Sequence, residues 1–112
     1  MEGHSIEVIE LKTNGRNLIR EWHKKLDVSQ KMEVDARLKN VKRGNLGIHR
    51  NLEYGMGELK FSSGLRIYFG WEGTKMILLI CGGKKSGGKR GQSQDIEQAQ
   101  KIWIAFTKIK KG

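Results

Sequence analysis

Glu58-Leu-Lys-Phe-Ser-Ser-Gly64, Leu65-Arg-Ile-Tyr-Phe-Gly-Trp71, Glu72-Gly-Thr74 and Lys75-Met-Ile-Leu-Leu-Ile-Cys-Gly-Gly83 decide the fold of this chain. They read as three strand-like runs joined by two short turns rich in Ser or Gly, hence two consecutive β-hairpins. Side chains on a strand repeat every second residue. Leu59 and Phe61 therefore share a face with Leu65, Ile67 and Phe69, while Lys60 shares the opposite face with Arg66 and Tyr68. The run from Met76 to Cys81 is apolar on both faces, the pattern of an internal strand covered from both sides. The sheet is thus predicted to have a core face and a face carrying two cations and a phenol.

A chain of 112 residues holds one domain with a core large enough to need no staples. Its single cysteine, Cys81, lies in the most apolar run and reads as a buried, reduced thiol rather than a catalytic one. No N-terminal stretch has the layout of a secretory signal, and Met76 to Cys81 is far too short to span a bilayer. A soluble, cytoplasmic protein without a membrane partner is the expectation. Lys and Arg total 22 against 12 Asp and Glu, a formal net charge of +10. Such an excess on a small domain favours polyanions, chiefly nucleic acid, over a merely soluble surface or an acidic protein partner. No Cys/His cluster has metal-ligand spacing, so neither a metal site nor a cofactor is assigned.

Outward from the hairpins, Ile6 to Leu11 alternates and reads as an edge strand, and Thr13-Asn14-Gly15 as a turn or helix start. Leu18, Ile19, Trp22 and Leu26 then form one helical stripe. Asp27-Val28-Ser29-Gln30 fits a capping box opening a second helix to about Arg43, with Val34, Leu38 and Val41 as its stripe and Gly44 as its stop. The other face of that helix is basic, Lys31, Arg37, Lys39, Lys42 and Arg43: a solvated face, or one lying along a phosphate backbone. Gly44 to Gly57 reads as a loop anchored by Leu46, Ile48 and Leu52. Lys84 to Gln92 is rich in glycine and cations, either a plain surface loop or one that approaches phosphates; it lacks the spacing of a Walker A loop. Ser93 is predicted to cap a last helix, with Asp95 and Glu97 in its first turn and Ile96, Ala99, Trp103 and Phe106 along its apolar stripe.

Taken in order, these pieces resemble a family. The Trp-containing first helix, Arg37-Leu38 leading to Gly44-Asn45-Leu46-Gly47, Glu58-Leu59-Lys60 and Gly64-Leu65-Arg66-Ile67-Tyr68-Phe69 are followed by Leu78 to Gly83, Lys85-Ser86, Gln92 and Asp95-Ile96. The ordered set is similar to the RelE/ParE superfamily of toxins from bacterial type II toxin–antitoxin modules, in particular the small HigB-like addiction module killer branch. The chain departs from the family pattern at Lys60, where Arg is usual, at Lys84, where Asp is usual, and in a longer segment between Ser86 and Gln92. The resemblance implies an α+β domain over residues 1–112: an antiparallel sheet with a mixed edge, two N-terminal helices on one face and a C-terminal helix. It also implies a cognate antitoxin, usually a helix-turn-helix protein.

By that resemblance the activity would be metal-independent cleavage of mRNA, typically on the ribosome. A ribose 2′-hydroxyl attacks the adjacent phosphorus and leaves a 2′,3′-cyclic phosphate and a 5′-hydroxyl. Cations aimed at the developing charge are the strongest lever on such a step. Arg66 suits a phosphate clamp because its fork binds two oxygens, and Lys60 on the neighbouring strand is placed to share that phosphate. Lys60 or Lys85, crowded by other cations, would serve as base or acid, and Tyr68 would stack on a base or donate its hydroxyl. Lys84, Lys89, Arg90, Lys42 and Arg43 are the expected RNA contacts, and Glu58 a fallback base. The bland readings stand beside these: Arg66 pairing with Glu58 across the strands, Tyr68 covering the sheet, and Lys60 as an ordinary exposed strand residue. Two other functions compete, a ParE-like gyrase inhibitor without chemistry of its own, and a degenerate relic that binds only RNA or antitoxin.

Overall fold

A computed structural model describes residues 5–82 and 88–111, excepting the side chains of 88–93 and 109–111. In chain order the elements are β1 (Glu7–Glu10), a minimal hairpin of β2 (Lys12–Thr13) and β3 (Arg16–Asn17), α1 (Leu18–Lys24), α2 (Val28–Lys42), β4 (His49–Asn51), β5 (Met56–Lys60), β6 (Arg66–Glu72), β7 (Lys75–Gly82) and α3 (Gly88–Lys111). The main sheet has five strands in the order β1-β7-β6-β5-β4. β4 to β7 pair antiparallel, and β1 joins β7 in parallel, with Glu7 opposite Lys75. The chain is therefore α+β with a mixed sheet.

Both predicted hairpins form. The second turns at Gly73, whose φ of +63° is open to glycine without steric cost. The predicted core face is also present: Leu59, Phe61, Leu65, Ile67 and Phe69 are buried together with Met76 and Leu78. Over this face lie α1 and α2, which contribute Ile19, Val34 and Val41. The capping box is closed in both directions, Gln30 N–H donating to Asp27 Oδ1 at 2.8 Å and Asp27 N–H to Gln30 Oε1 at 3.2 Å. A cap of this kind contributes about 1 kcal/mol. Leu18 leaves the predicted stripe and packs on the other side of the sheet.

The opposite face carries a second core, which the alternation of Lys60, Arg66 and Tyr68 had marked as polar. Met56, Tyr68, Ile77, Leu79 and Ile80 meet Ala99 and Trp103 of α3 there. α3 starts at Gly88, five residues ahead of the predicted cap at Ser93. Glycine costs a helix interior about 1 kcal/mol relative to alanine, but that is a weak prior, and an existing helix extends at one hydrogen bond per residue fixed. The span from Gly44 to Gly57 also differs from a plain loop. β4 adds to the free edge of β5, and a 3-10 turn covers Glu53–Gly55. All three β4 residues are exposed, so no apolar alternation announces the strand.

A bulge in β7 fixes which residues face α3. Tyr68 pairs with Ile80 but Phe69 pairs with Leu78, so Leu79 is an extra residue. Leu79 and Ile80 both turn toward α3, and Cys81 returns to the core under α1 and α2. Strict alternation would have aimed Cys81 at α3; the bulge aims Gly82 there instead.

Candidate functional site

Three strands bring the charged residues together at one end of the sheet, on the side of α3. Lys60 on β5 is directly opposite Arg66 on β6, and Arg66 is directly opposite Gly82 on β7. Directly opposed side chains stand about 5 Å apart at Cβ, close enough for two cations to act on one anion. One row inward, Arg50 of β4 is opposite Glu58, and Glu58 is opposite Tyr68. Lys60 is exposed and Arg66 partly so.

Glu58 is fully buried, at 0 % exposure, and is held from two sides. Arg50 Nε donates to Oε1 at 3.0 Å, and Arg66 Nε lies 3.7 Å from Oε2. Removing the carboxylate would leave two guanidiniums facing each other, so this triad is both structure and electrostatics. The cross-strand pairing of Arg66 with Glu58 weighed in the sequence is thus present, and it coexists with the Lys60–Arg66 alignment.

Tyr68 is fully buried rather than an open platform for a base. α3 covers it, a burial that the strand pattern does not reveal because it depends on a helix far along the chain. Its hydroxyl lies near Glu58 but makes no well-formed hydrogen bond among the described residues. Burial, and then the Glu58 carboxylate, push the phenol well above its ordinary range, so it stays protonated. Asp95 of α3 stands over Gly82: a Cβ there would come within 2.6 Å of Asp95 Oδ2 and 3.3 Å of the Tyr68 ring. Burial raises the Asp95 pKa; Arg66 pulls it down and Glu58 adds to the rise. The Cys81 thiol is pushed up by burial and then by Asp95, which keeps it protonated.

The remaining predicted residues divide. Lys84 and Lys85 lie outside the described residues, although the chain leaves β7 at Gly82, beside Arg66. Lys89 and Arg90 stand in the first turn of α3, not in a loop. Lys42 and Arg43 are exposed, but the Lys42 carbonyl accepts from Ile6 N–H at the Lys75 end of the sheet, away from Lys60 and Arg66. Arg37 is not part of a free basic face. Its Nε donates to the Leu46 carbonyl at 2.7 Å, a second nitrogen donates to Ile48 O, and the guanidinium lies 4.8 Å over the Phe61 ring. His49 Nδ1 bonds the Gly47 carbonyl at 2.8 Å, and His23 bonds Asp35 at 2.8 Å.

Sequence reasoning missed Arg50, because it sits on the unannounced strand, and gave Asp95 only a helix-terminal role. Gly82 was the available signal: a glycine at a strand end needs a reason, and here the reason is the carboxyl above it. Among the described residues no group of three His, Cys, Asp or Glu side chains is placed to hold a metal ion. No described helix is long and apolar enough to cross a membrane.

Searched against protein-family models, the chain matches none. It is 33% identical over 82 residues to a protein of Haemophilus influenzae described as an uncharacterized protein, a match covering 70% of this chain and 79% of that one. The chain belongs to that protein's family. That description carries no activity, so the functional reading rests on the Lys60–Arg66 end of the sheet.

Proposed function

We propose that this protein is a RelE/ParE-like toxin of the HigB-like branch, a metal-independent, ribosome-dependent mRNA endoribonuclease of the bacterial cytoplasm restrained by a helix-turn-helix antitoxin. One observation carries the reading: Lys60 and Arg66 are directly opposed at a sheet end that solvent reaches, with a second arginine, Arg50, one row behind. The resemblance in ordered sequence pieces supports it, as does a sheet with two N-terminal helices on one face and the C-terminal helix on the other. The net charge of +10 suits a partner with a phosphate backbone.

In this reading the Arg66 fork holds the scissile phosphate and Lys60 neutralises the charge that grows on it. Glu58 holds the Arg66 side chain in place from below. Tyr68 supports the sheet from beneath α3 and does not touch the base. The test is induced expression with 5′-end mapping of cellular mRNA, comparing the wild type with Arg66→Ala. The wild type is expected to arrest growth and create new mRNA ends; Arg66→Ala is expected to lose both while remaining folded. Full toxicity of Arg66→Ala removes the site.

A second reading, a ParE-like gyrase inhibitor, is favoured by the pairing of Arg66 with Glu58 and by the burial of Tyr68, which suit a surface that binds without chemistry. It predicts relaxed plasmid and DNA-damage induction with intact mRNA. A relic would give neither effect.

A further inference from the structure

We infer that Asp95 is the proton-exchanging carboxyl of the Arg66 end of the sheet, accepting the 2′-hydroxyl proton of the bound ribonucleotide. The inference rests on the ribonuclease reading and assigns a residue within it. Two carboxyls compete for the role. Glu58 is sealed at 0 % exposure and held by Arg50 and Arg66. Asp95 is partly exposed, so it alone of the two meets both solvent and the sheet end.

Two features of the fold are arranged around Asp95. The β7 bulge turns Gly82 toward α3, and the missing side chain leaves the space that Asp95 Oδ2 occupies, 2.6 Å from where a Cβ would stand. Gly82 is the cross-strand partner of Arg66, so the carboxyl lies over the Arg66 row. The second feature is Tyr68. Its fully buried ring reaches the same point over Gly82 at 3.3 Å, so the carboxyl stands against an apolar wall on that side.

The groups on the α3 side of the sheet that meet Asp95 are Glu58 from β5 and Arg66 and Tyr68 from β6, with Arg50 of β4 acting through Glu58; the Cys81 thiol of β7 feels the carboxyl from the other face. Burial is the largest influence and raises the carboxyl; Glu58 raises it further and Arg66 opposes both. A carboxylate moved toward neutrality is a better base there than an ordinary one. In the step, the 2′-oxygen forms its bond to phosphorus as its proton passes to Asp95. The bond from phosphorus to the 5′-oxygen breaks, and that oxygen takes a proton from the Lys60 ammonium. The products are a 2′,3′-cyclic phosphate and a 5′-hydroxyl, with Asp95 protonated and Lys60 neutral until solvent resets them.

The test uses the purified full chain on ribosomes programmed with a defined mRNA, read as single-turnover cleavage across pH. Wild-type cleavage should fall as pH drops through the Asp95 pKa. Asp95→Asn should be slower by about 100-fold at neutral pH and lose that acidic limb. Gly82→Ala, which displaces the carboxyl without removing it, should slow cleavage too. Carbon-13 NMR of the wild-type Asp95 carboxyl supplies a check independent of any variant's folding: its titration midpoint should coincide with the kinetic limb. Asp95→Asn cutting within about threefold of wild type with the limb intact overturns the inference but spares the ribonuclease reading. A carboxyl midpoint well away from the limb does the same. A wild type that leaves no new mRNA ends overturns both.

Discussion

Tyr68 contributes a large buried ring to the core under α3, yet brings a hydroxyl that finds no hydrogen-bond partner among the described residues. An unsatisfied buried donor costs about 1–3 kcal/mol. Tyr68→Phe keeps the ring and removes that cost, so urea unfolding should show a gain of about 1 kcal/mol. Because the ring is sealed, the variant should also retain mRNA cleavage to within a few fold. A large loss of cleavage with unchanged stability would return Tyr68 to the reacting centre. Period-two alternation was sufficient to put Lys60, Arg66 and Tyr68 on one face, and the register agrees. It could not tell a covered face from an open one, since the cover comes from α3. Arg50 was out of reach for a different reason: a three-residue, fully exposed edge strand carries no hydrophobic signal.

Besides Asp95 over Gly82, α3 comes closest to the sheet at Gly70. An added Cβ at Gly70 would come within 2.5 Å of the Trp103 indole. That ring has little room to retreat, being stacked on Phe106 at 5.4 Å between centroids and donating from Nε1 to the Tyr54 carbonyl at 2.8 Å. Gly70→Ala should therefore cost about 1–3 kcal/mol by overpacking, measured as a lower urea midpoint. Elements with strong periodicity or a side-chain cap were legible in the sequence: both hairpins, α1, α2 with its Asp27–Gln30 box, and the apolar stripe of α3. The start of α3 was not, because Gly88 and Gly91 read as loop while helix extension overrides their propensity. The β7 bulge was not legible either. Nothing in a run of apolar residues marks where the two-residue period slips, and that slip decides whether Gly82 or Cys81 faces Asp95.

Over the whole molecule, burial of weak acids sets the response to alkali. Cys81 and Tyr68 ordinarily titrate at 9.0 and 10.0, and both are raised in the folded chain. Above those ordinary values the unfolded chain loses protons that the folded chain keeps. The native state then binds more protons, so stability is full below about pH 9 and falls as pH rises toward the raised values. Each group contributes a slope of about 1.4 kcal/mol per pH unit once its unfolded form is ionised. Urea midpoints from about pH 8 to pH 11 should show the decline, and Cys81→Ala should postpone its onset toward the tyrosine range. A flat profile would mean that the folded chain holds neither proton more tightly than the unfolded one.

The parallel pairing of Glu7 with Lys75 has a consequence for biosynthesis. Translation delivers β1 first, but its neighbour in the sheet is among the last strands to leave the exit tunnel, and the helix that closes over Tyr68 comes later still. The nascent chain can assemble β5 and β6 early, with Lys60 and Arg66 already opposed, while Asp95 is still inside the tunnel. A growing polypeptide thus carries its cation pair without the carboxyl, and a partner that captured it at that stage would meet an unfinished surface.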